Sequence, residues 1–243
     1  MRLRQPVLRL VRPVIRQGFL SAMFAGSLAA QQPLRDHLDA SRLRVASDSF
    51  VVLLQGKPQG WQRLTMDRDV AGWQVGDAVE ITSMVRQSSV VRLDERLQER
   101  SLRQEGTMAG REMQIALDFI DGRVRGRSMT PSSGPSGPLV IDTTLTPGTI
   151  DDNAVMPLLP AVRWQEGLDI AFPVFSSGKG TVADYRLRVL GTETTVVPAG
   201  SFDTWRIELR LERSATIVNV TRSEPYRVVR MSNGPAFEVQ LVK

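Results

Sequence analysis

Between Thr194 and Glu212 the chain reads TTVVPAGSFDTWRIELRLE, two alternating runs joined by a reversal, and this stretch limits the fold more than any other. After the reversal Trp205, Ile207, Leu209 and Leu211 alternate with Arg206, Glu208, Arg210 and Glu212. A period of two matches a β-strand buried on one face and wet on the other, and it does not match a helix. Pro198 presets its own backbone angle and Gly200 tolerates a positive φ, so the pair marks the turn.

The same pattern recurs along the chain. Short β-prone runs fall at 50–54, 56–60, 61–66, 78–85 and 89–93, separated by turn signals. Met113, Ile115, Leu117 and Phe119 alternate cleanly with polar neighbours, and Asp121-Gly122 is a strong hairpin signal. Further strands are expected around Tyr185, Leu187 and Val189, over 217–221 and 227–231, and at the end, where Phe237, Val239 and Leu241 share a face. One interruption stands out. In DDNAVMPLLPAVRW (151–164) Asp151 or Asp152 can cap a helix that Pro157 and Pro160 keep short. These signals predict an all-β fold with minor α content: a strongly curved antiparallel sheet, half-barrel or lipocalin-like, with one short helical segment.

The first residues read differently. Arg2, Arg4, Arg9, Arg12 and Arg16 precede an uncharged run from Gly18 to Ala30 that is too short and too rich in small residues to span a bilayer. That is the form of a secretory leader over 1–29, with cleavage expected after Ala29 and Ala30 the other choice. Its removal takes five arginines and no acid, so the 31 basic residues fall to equal the 26 acidic ones. A neutral mature chain without a basic cluster carries no nucleic-acid footprint. The chain has no cysteine, which excludes disulfides, thiolate metal sites and a cysteine nucleophile. A polar lead-in follows over 30–48, then a single β-sheet domain over 49–243. TPSSGPSGP (130–138) reads as a flexible loop, either inside that domain or between two smaller ones; the similar patterns on its two sides favour one domain.

Catalytic and metal-binding signals are weak. His37 is the only histidine and sits in the lead-in, where a solvated side chain is the simple reading. Asp151, Asp152 and Asn153 lack the ligand spacing of a calcium loop, and helix capping accounts for them. Ser177-Gly178-Lys179-Gly180 lacks the upstream glycine and downstream hydroxyl of a phosphate loop and reads as a turn. No catalytic residue, metal or cofactor is assigned. Trp61, Trp73, Trp164 and Trp205 are core residues by default. With Ile207, Leu209 and Leu211 they are also the candidate wall of an apolar ligand site.

The order of DDNAVMPLLPAVRW, FSSGKG (175–180), GTETTVVPAGSFDTWRIEL (191–209), VTRSEPYRVVRM (220–231) and FEVQLV (237–242) resembles exported bacterial envelope proteins catalogued as a domain of unknown function. That family is similar in shape to the lipoprotein-carrier half-barrels of the periplasm. The resemblance implies a curved sheet around a helix, an apolar concave face and residence in the periplasm or outer envelope. It brings no catalytic residues. The expected function is that of a non-enzymatic envelope protein binding a lipid, another hydrophobic ligand or a protein partner. Two alternatives stand beside it: a hydrolase of cell-wall or carbohydrate substrates, and an integral outer-membrane β-barrel, whose strands alternate in the same way.

Overall fold

The computed structural model describes residues 33–133, 137–212 and 214–243. The expected leader and the middle of the 130–138 loop lie outside them. The first meander comprises β1 (Ala46–Leu54), β2 (Lys57–Asp69), β3 (Gly72–Ile81), β4 (Val85–Leu93), β5 (Glu99–Met108), β6 (Arg111–Ile120), β7 (Arg123–Met129) and β8 (Leu139–Thr144). A short β9 (Ile150–Asp151) then leads into α1 (Asp152–Leu158). The second meander is β10 (Asp169–Ser176), β11 (Thr181–Val197), β12 (Gly200–Leu211), β13 (Ser214–Thr221), β14 (Val228–Ser232) and β15 (Phe237–Leu241). Among the described residues these make one 15-stranded sheet in which β8 and β9 are the edges and β1 pairs with β15 in the middle. Every pairing is antiparallel except that of β9 with β10.

Alternation places the core on one face of this sheet. On β6, Met113, Ile115, Leu117 and Phe119 are buried and every residue between them is exposed. The sheet must curl tightly to bring such faces together, and glycine permits it where neighbouring backbones converge. A Cβ on Gly126 would stand 1.9 Å from the Ala116 carbonyl oxygen, and one on Gly106 would stand 2.1 Å from that of Arg86. Both glycines also hold φ near +150°. The curl brings Phe119 of β6 edge-on to Phe175 of β10, with ring centroids 6.5 Å apart.

α1 fills the concavity. Asp151 caps it, its Oδ1 accepting from the Asn153 N–H at 2.9 Å, and Pro157 lacks the N–H needed to extend it. Ala154, Val155, Pro157 and Leu158 are buried, followed by Leu159 and Ala161 in a 3₁₀ turn. The helix touches β4 and β10, and the 3₁₀ turn touches β13, so this segment bridges both meanders.

The structure corrects several local expectations. The run 78–85 is the end of β3, a turn and the start of β4, because Met84 N–H bonds back to Ile81 O at 3.0 Å and Ser83 takes φ +59° without glycine or proline to announce it. The runs 56–60 and 61–66 are one strand, β2. β5 carried no expectation, since the buried Gln104 interrupts its apolar alternation. The lead-in forms two 3₁₀ turns, Leu34–His37 and Ala40–Arg42, and β1 starts inside its bounds. In β11 and β12 the buried face changes sides. Ile207 and Leu209 are buried, but beyond a bulge between Val189 and Gly191 it is Thr195, Val197 and Thr204 that are covered. The tip of this hairpin folds onto the last strands, with Ala199 N–H donating to Leu241 O at 3.1 Å.

Gly126→Ala is expected to lower stability by about 3 kcal/mol through strain and overpacking. Gly178→Ala, whose added Cβ would meet only the Thr130 methyl at 3.5 Å, is expected to stay within about 0.5 kcal/mol of the parent. Urea midpoints measure both, and equal midpoints would contradict the close-approach account of the curl.

Candidate functional site

The seven residues expected to wall a ligand site do not share one surface. Trp73 and Trp164 are buried in the core with Ile207 and Leu209, and Trp205 packs against that core half-exposed. The Trp164 indole N–H donates to Leu159 O at 3.2 Å, tying the ring to the turn after α1. Arg222 lies 5.0 Å over the Trp205 ring and Arg68 lies 5.2 Å over that of Trp73. Leu211 is half-buried. Trp61 is 45% exposed on the opposite face of the sheet.

On the concave side, the packing around α1 leaves a crevice between the helix and β1–β2. Leu64, Met66, Met156, Pro157, Tyr226 and Val228 line it, around about 50 Å³ of free space. Its mouth carries an ion pair, Arg227 Nη2 to Asp48 Oδ1 at 2.6 Å, and the Arg42 guanidinium covers the Tyr226 ring at 3.5 Å. Burial raises the Asp48 carboxyl pKa, opposed by Arg227.

A polar cluster holds the start of α1. Arg35 pairs with Glu99 and also donates to Leu97 O at 2.8 Å and Thr149 O at 2.7 Å. Glu99 Oε1 in turn accepts from the Asp151 N–H at 3.1 Å. The Asn153 amide donates to Asp151 Oδ1 at 3.1 Å, to Asp152 Oδ1 at 2.9 Å and to Ser177 Oγ at 2.9 Å. Asp151 is 1% exposed and its Oδ2 has no partner among the described residues. Burial pushes its pKa well above the usual carboxylate range, and the neighbouring Asp152 pushes it the same way. Burial raises the Asp152 pKa too, opposed by the Ser177 hydroxyl at 2.9 Å. The cluster is an anchor sealed from solvent at Asp151. Its amide donors point at the carboxylates and at Ser177, an arrangement that serves capping.

On the convex face an open groove of about 610 Å³ crosses β2 to β7. The registers line up Trp61, Glu80, Arg86, Thr107 and Glu112 as one cross-strand row, and Ala78, Ser88, Glu105 and Gln114 as the next. Arg86 pairs with Glu80 at 2.9 Å and lowers its carboxyl pKa, with Trp61 contributing a hydrogen bond.

The remaining candidates are structural. The His37 carbonyl accepts from Arg163 N–H at 2.8 Å, joining the lead-in to the segment after α1. Ser177 to Gly180 is a turn, in which Gly180 N–H donates to Ser176 O at 2.7 Å. Arg35 and Glu99 escaped the sequence reading because they are 64 residues apart and neither belongs to a local motif. Met66 and Met156 escaped it as ordinary apolar residues.

No curated protein matches this chain. Among solved structures it is similar to the crystal structure of a beta-barrel-like protein of domain of unknown function DUF1849 from Brucella abortus, at 11% identity and a TM-score of 0.49, over 81% of this chain and 95% of that one. The model of a family described as protein of unknown function (DUF3108) matches residues 49–241, and the chain belongs to that family.

Proposed function

We propose that this chain is a non-enzymatic binding module exported to the bacterial envelope, and that the crevice beneath α1 receives the apolar end of a lipid or similar ligand. The observation that carries this reading is the crevice itself: an apolar gap on the concave side, bounded by a single short helix and by two methionines, whose flexible side chains re-pack at low cost. The arginine-bearing leader pattern supports export.

Magnitudes say how such a ligand enters. A volume of about 50 Å³ holds one or two groups the size of a water molecule, whose share of liquid volume is about 30 Å³. Burial contributes about 0.8 kcal/mol per methylene, so micromolar affinity, about 8 kcal/mol, needs about ten methylenes before ordering costs. A chain of that length fits only when Met66 and Met156 turn aside and α1 lifts. Ligand entry and anchoring of the helix are therefore coupled.

The outward side chains favour a water-facing exterior over a lipid-facing one. Arg103 pairs with Asp118 at 2.7 Å, and Arg125 with Asp142 at 3.1 Å, on strands whose outer face hydrocarbon would have to solvate in an integral barrel. Hydrolysis of a glycoside calls for a raised-pKa acid facing a cleft. Asp151 is raised but sealed inside, Asp48 at the crevice is raised but already held in an ion pair with Arg227, and Glu80 in the open groove is held down by Arg86.

Native mass spectrometry of the protein purified from its own envelope is expected to show a bound lipid, and calorimetry with a twelve-carbon fatty acid is expected to show binding. Met66→Trp, which fills the crevice, is expected to weaken fatty-acid binding at least tenfold; an unchanged affinity, or a protein always empty, would overturn the reading. A second measurement concerns the anchor. A buried acid with a raised pKa contributes stability below its unfolded pKa and loses it as pH rises through the folded value. Asp151→Asn keeps the capping oxygen and removes the charge, so the Tm of the variant relative to the parent is expected to increase from pH 5 to pH 8. A constant difference across that range would show that Asp151 does not titrate as described.

A further inference from the structure

We propose that the convex groove over β2–β6 binds an extended basic segment of a partner polypeptide, independently of the crevice beneath α1. Three observations meet there. Trp61 is 45% exposed, whereas Trp73 and Trp164 are 5% and 8% exposed, so a large indole face is left open at one end of the groove. Open aromatic faces of this kind serve as anchors in protein recognition and attract cations.

Charge is the second. Glu80 is matched by Arg86, but among the described residues Glu105 and Glu112 have no ion-pair partner, so the groove keeps two uncompensated carboxylates. They project from neighbouring strands, Glu105 opposite Gln114 and Glu112 opposite Thr107. A ligand that brings positive charge to that end meets complementary potential and avoids the like-charge repulsion an acidic one would suffer.

Dimensions are the third. Four strand steps separate Trp61 from Glu112 along their row, which at about 4.8 Å each is about 19 Å on a flat sheet. Seven extended residues, six steps of about 3.3 Å, span about 20 Å, and their alternate side chains face one way. An aromatic residue over Trp61 and basic residues four and six positions further on, at about 13 and 20 Å, come over Glu105 and Glu112. The Glu80–Arg86 pair and the Thr107 hydroxyl lie between them and offer hydrogen bonds to the passing backbone. A neutral saccharide would stack equally well on Trp61 but would leave both free carboxylates without a counter-charge.

The test uses the whole protein with an acetylated, amidated heptapeptide carrying tyrosine at its first position, arginine at the fifth and seventh and serine elsewhere. A second peptide has glutamate in place of arginine, and a neutral chitin tetrasaccharide is the third probe. Calorimetry is expected to give sub-millimolar binding of the arginine peptide and at least tenfold weaker binding of the glutamate peptide. The Glu105→Gln and Glu112→Gln double variant and Trp61→Ala are each expected to lose at least tenfold, while Glu166→Gln, an exposed change elsewhere, leaves affinity unchanged. All these positions are exposed, so the variants are expected to melt within a few degrees of the parent. Raising ionic strength from about 0.05 to about 0.3 M is expected to weaken the arginine peptide further. Equal affinity for the two peptides, undiminished binding by the double variant, or binding of the tetrasaccharide in preference to the arginine peptide would overturn the proposal. None of these readouts depends on the fatty-acid crevice.

Discussion

β1 meets β15 antiparallel from Phe50 opposite Leu241 to Leu54 opposite Phe237, and through this pairing two meanders of consecutive hairpins become one sheet. The pairing also sets which way each half faces. Phe50 and Val52 lie opposite Leu241 and Val239, all buried, so the apolar faces of the two meanders continue into each other. A one-residue slip would turn one half inside out, which makes this register the tightest constraint on the molecule. Once it is made, curling the sheet brings β6 to β10, and the enclosed space is taken by α1 and the turn that follows.

The filled interior gives the polar cluster its purpose. A seven-residue helix does not hold together by propensity alone, and α1 is kept in place by its apolar contacts and by the bonds at its first turn. Arg35 reaches in from the lead-in and Glu99 from β5, so residues from three parts of the chain converge on Asp151. Burying the Asp151 carboxyl beside two other acids is costly, because only one guanidinium offsets them. Anchorage therefore weakens where that carboxyl ionises, which ties the hold on the helix to proton binding. The crevice lies on the other flank of the same helix.

The two faces of the sheet differ in kind. Beside α1, side chains interlock and leave little space, so a ligand entering there must displace something. Outside, on β2 to β6, the sheet offers a ready surface in which one indole and two carboxylates without an ion-pair partner among the described residues stand in two adjacent cross-strand rows. An inner site would respond to the freedom of α1; an outer one would respond to salt and to the charge of its partner.

Much of this could be read from the chain before folding. Alternation at Met113 to Phe119, the Asp121-Gly122 reversal and the capped, proline-limited segment at 151–164 all appear where local chemistry places them, because strand period, turn conformation and capping depend on near neighbours. The β3–β4 turn stayed hidden, since its residues carry no punctuation, and β5 stayed hidden behind a buried glutamine. Neither the Arg35–Glu99–Asp151 cluster nor the groove from Trp61 to Glu112 could be read this way. Their members lie tens of residues apart and meet only through register and curl. Sequence by itself determined an all-β chain with one short helix, because hydrophobic period and turn chemistry are local. Only tertiary structure decided that α1 packs into the concave face, that Trp61 faces water while Trp73 and Trp164 do not, and which acids are paired, because those depend on which strands lie side by side.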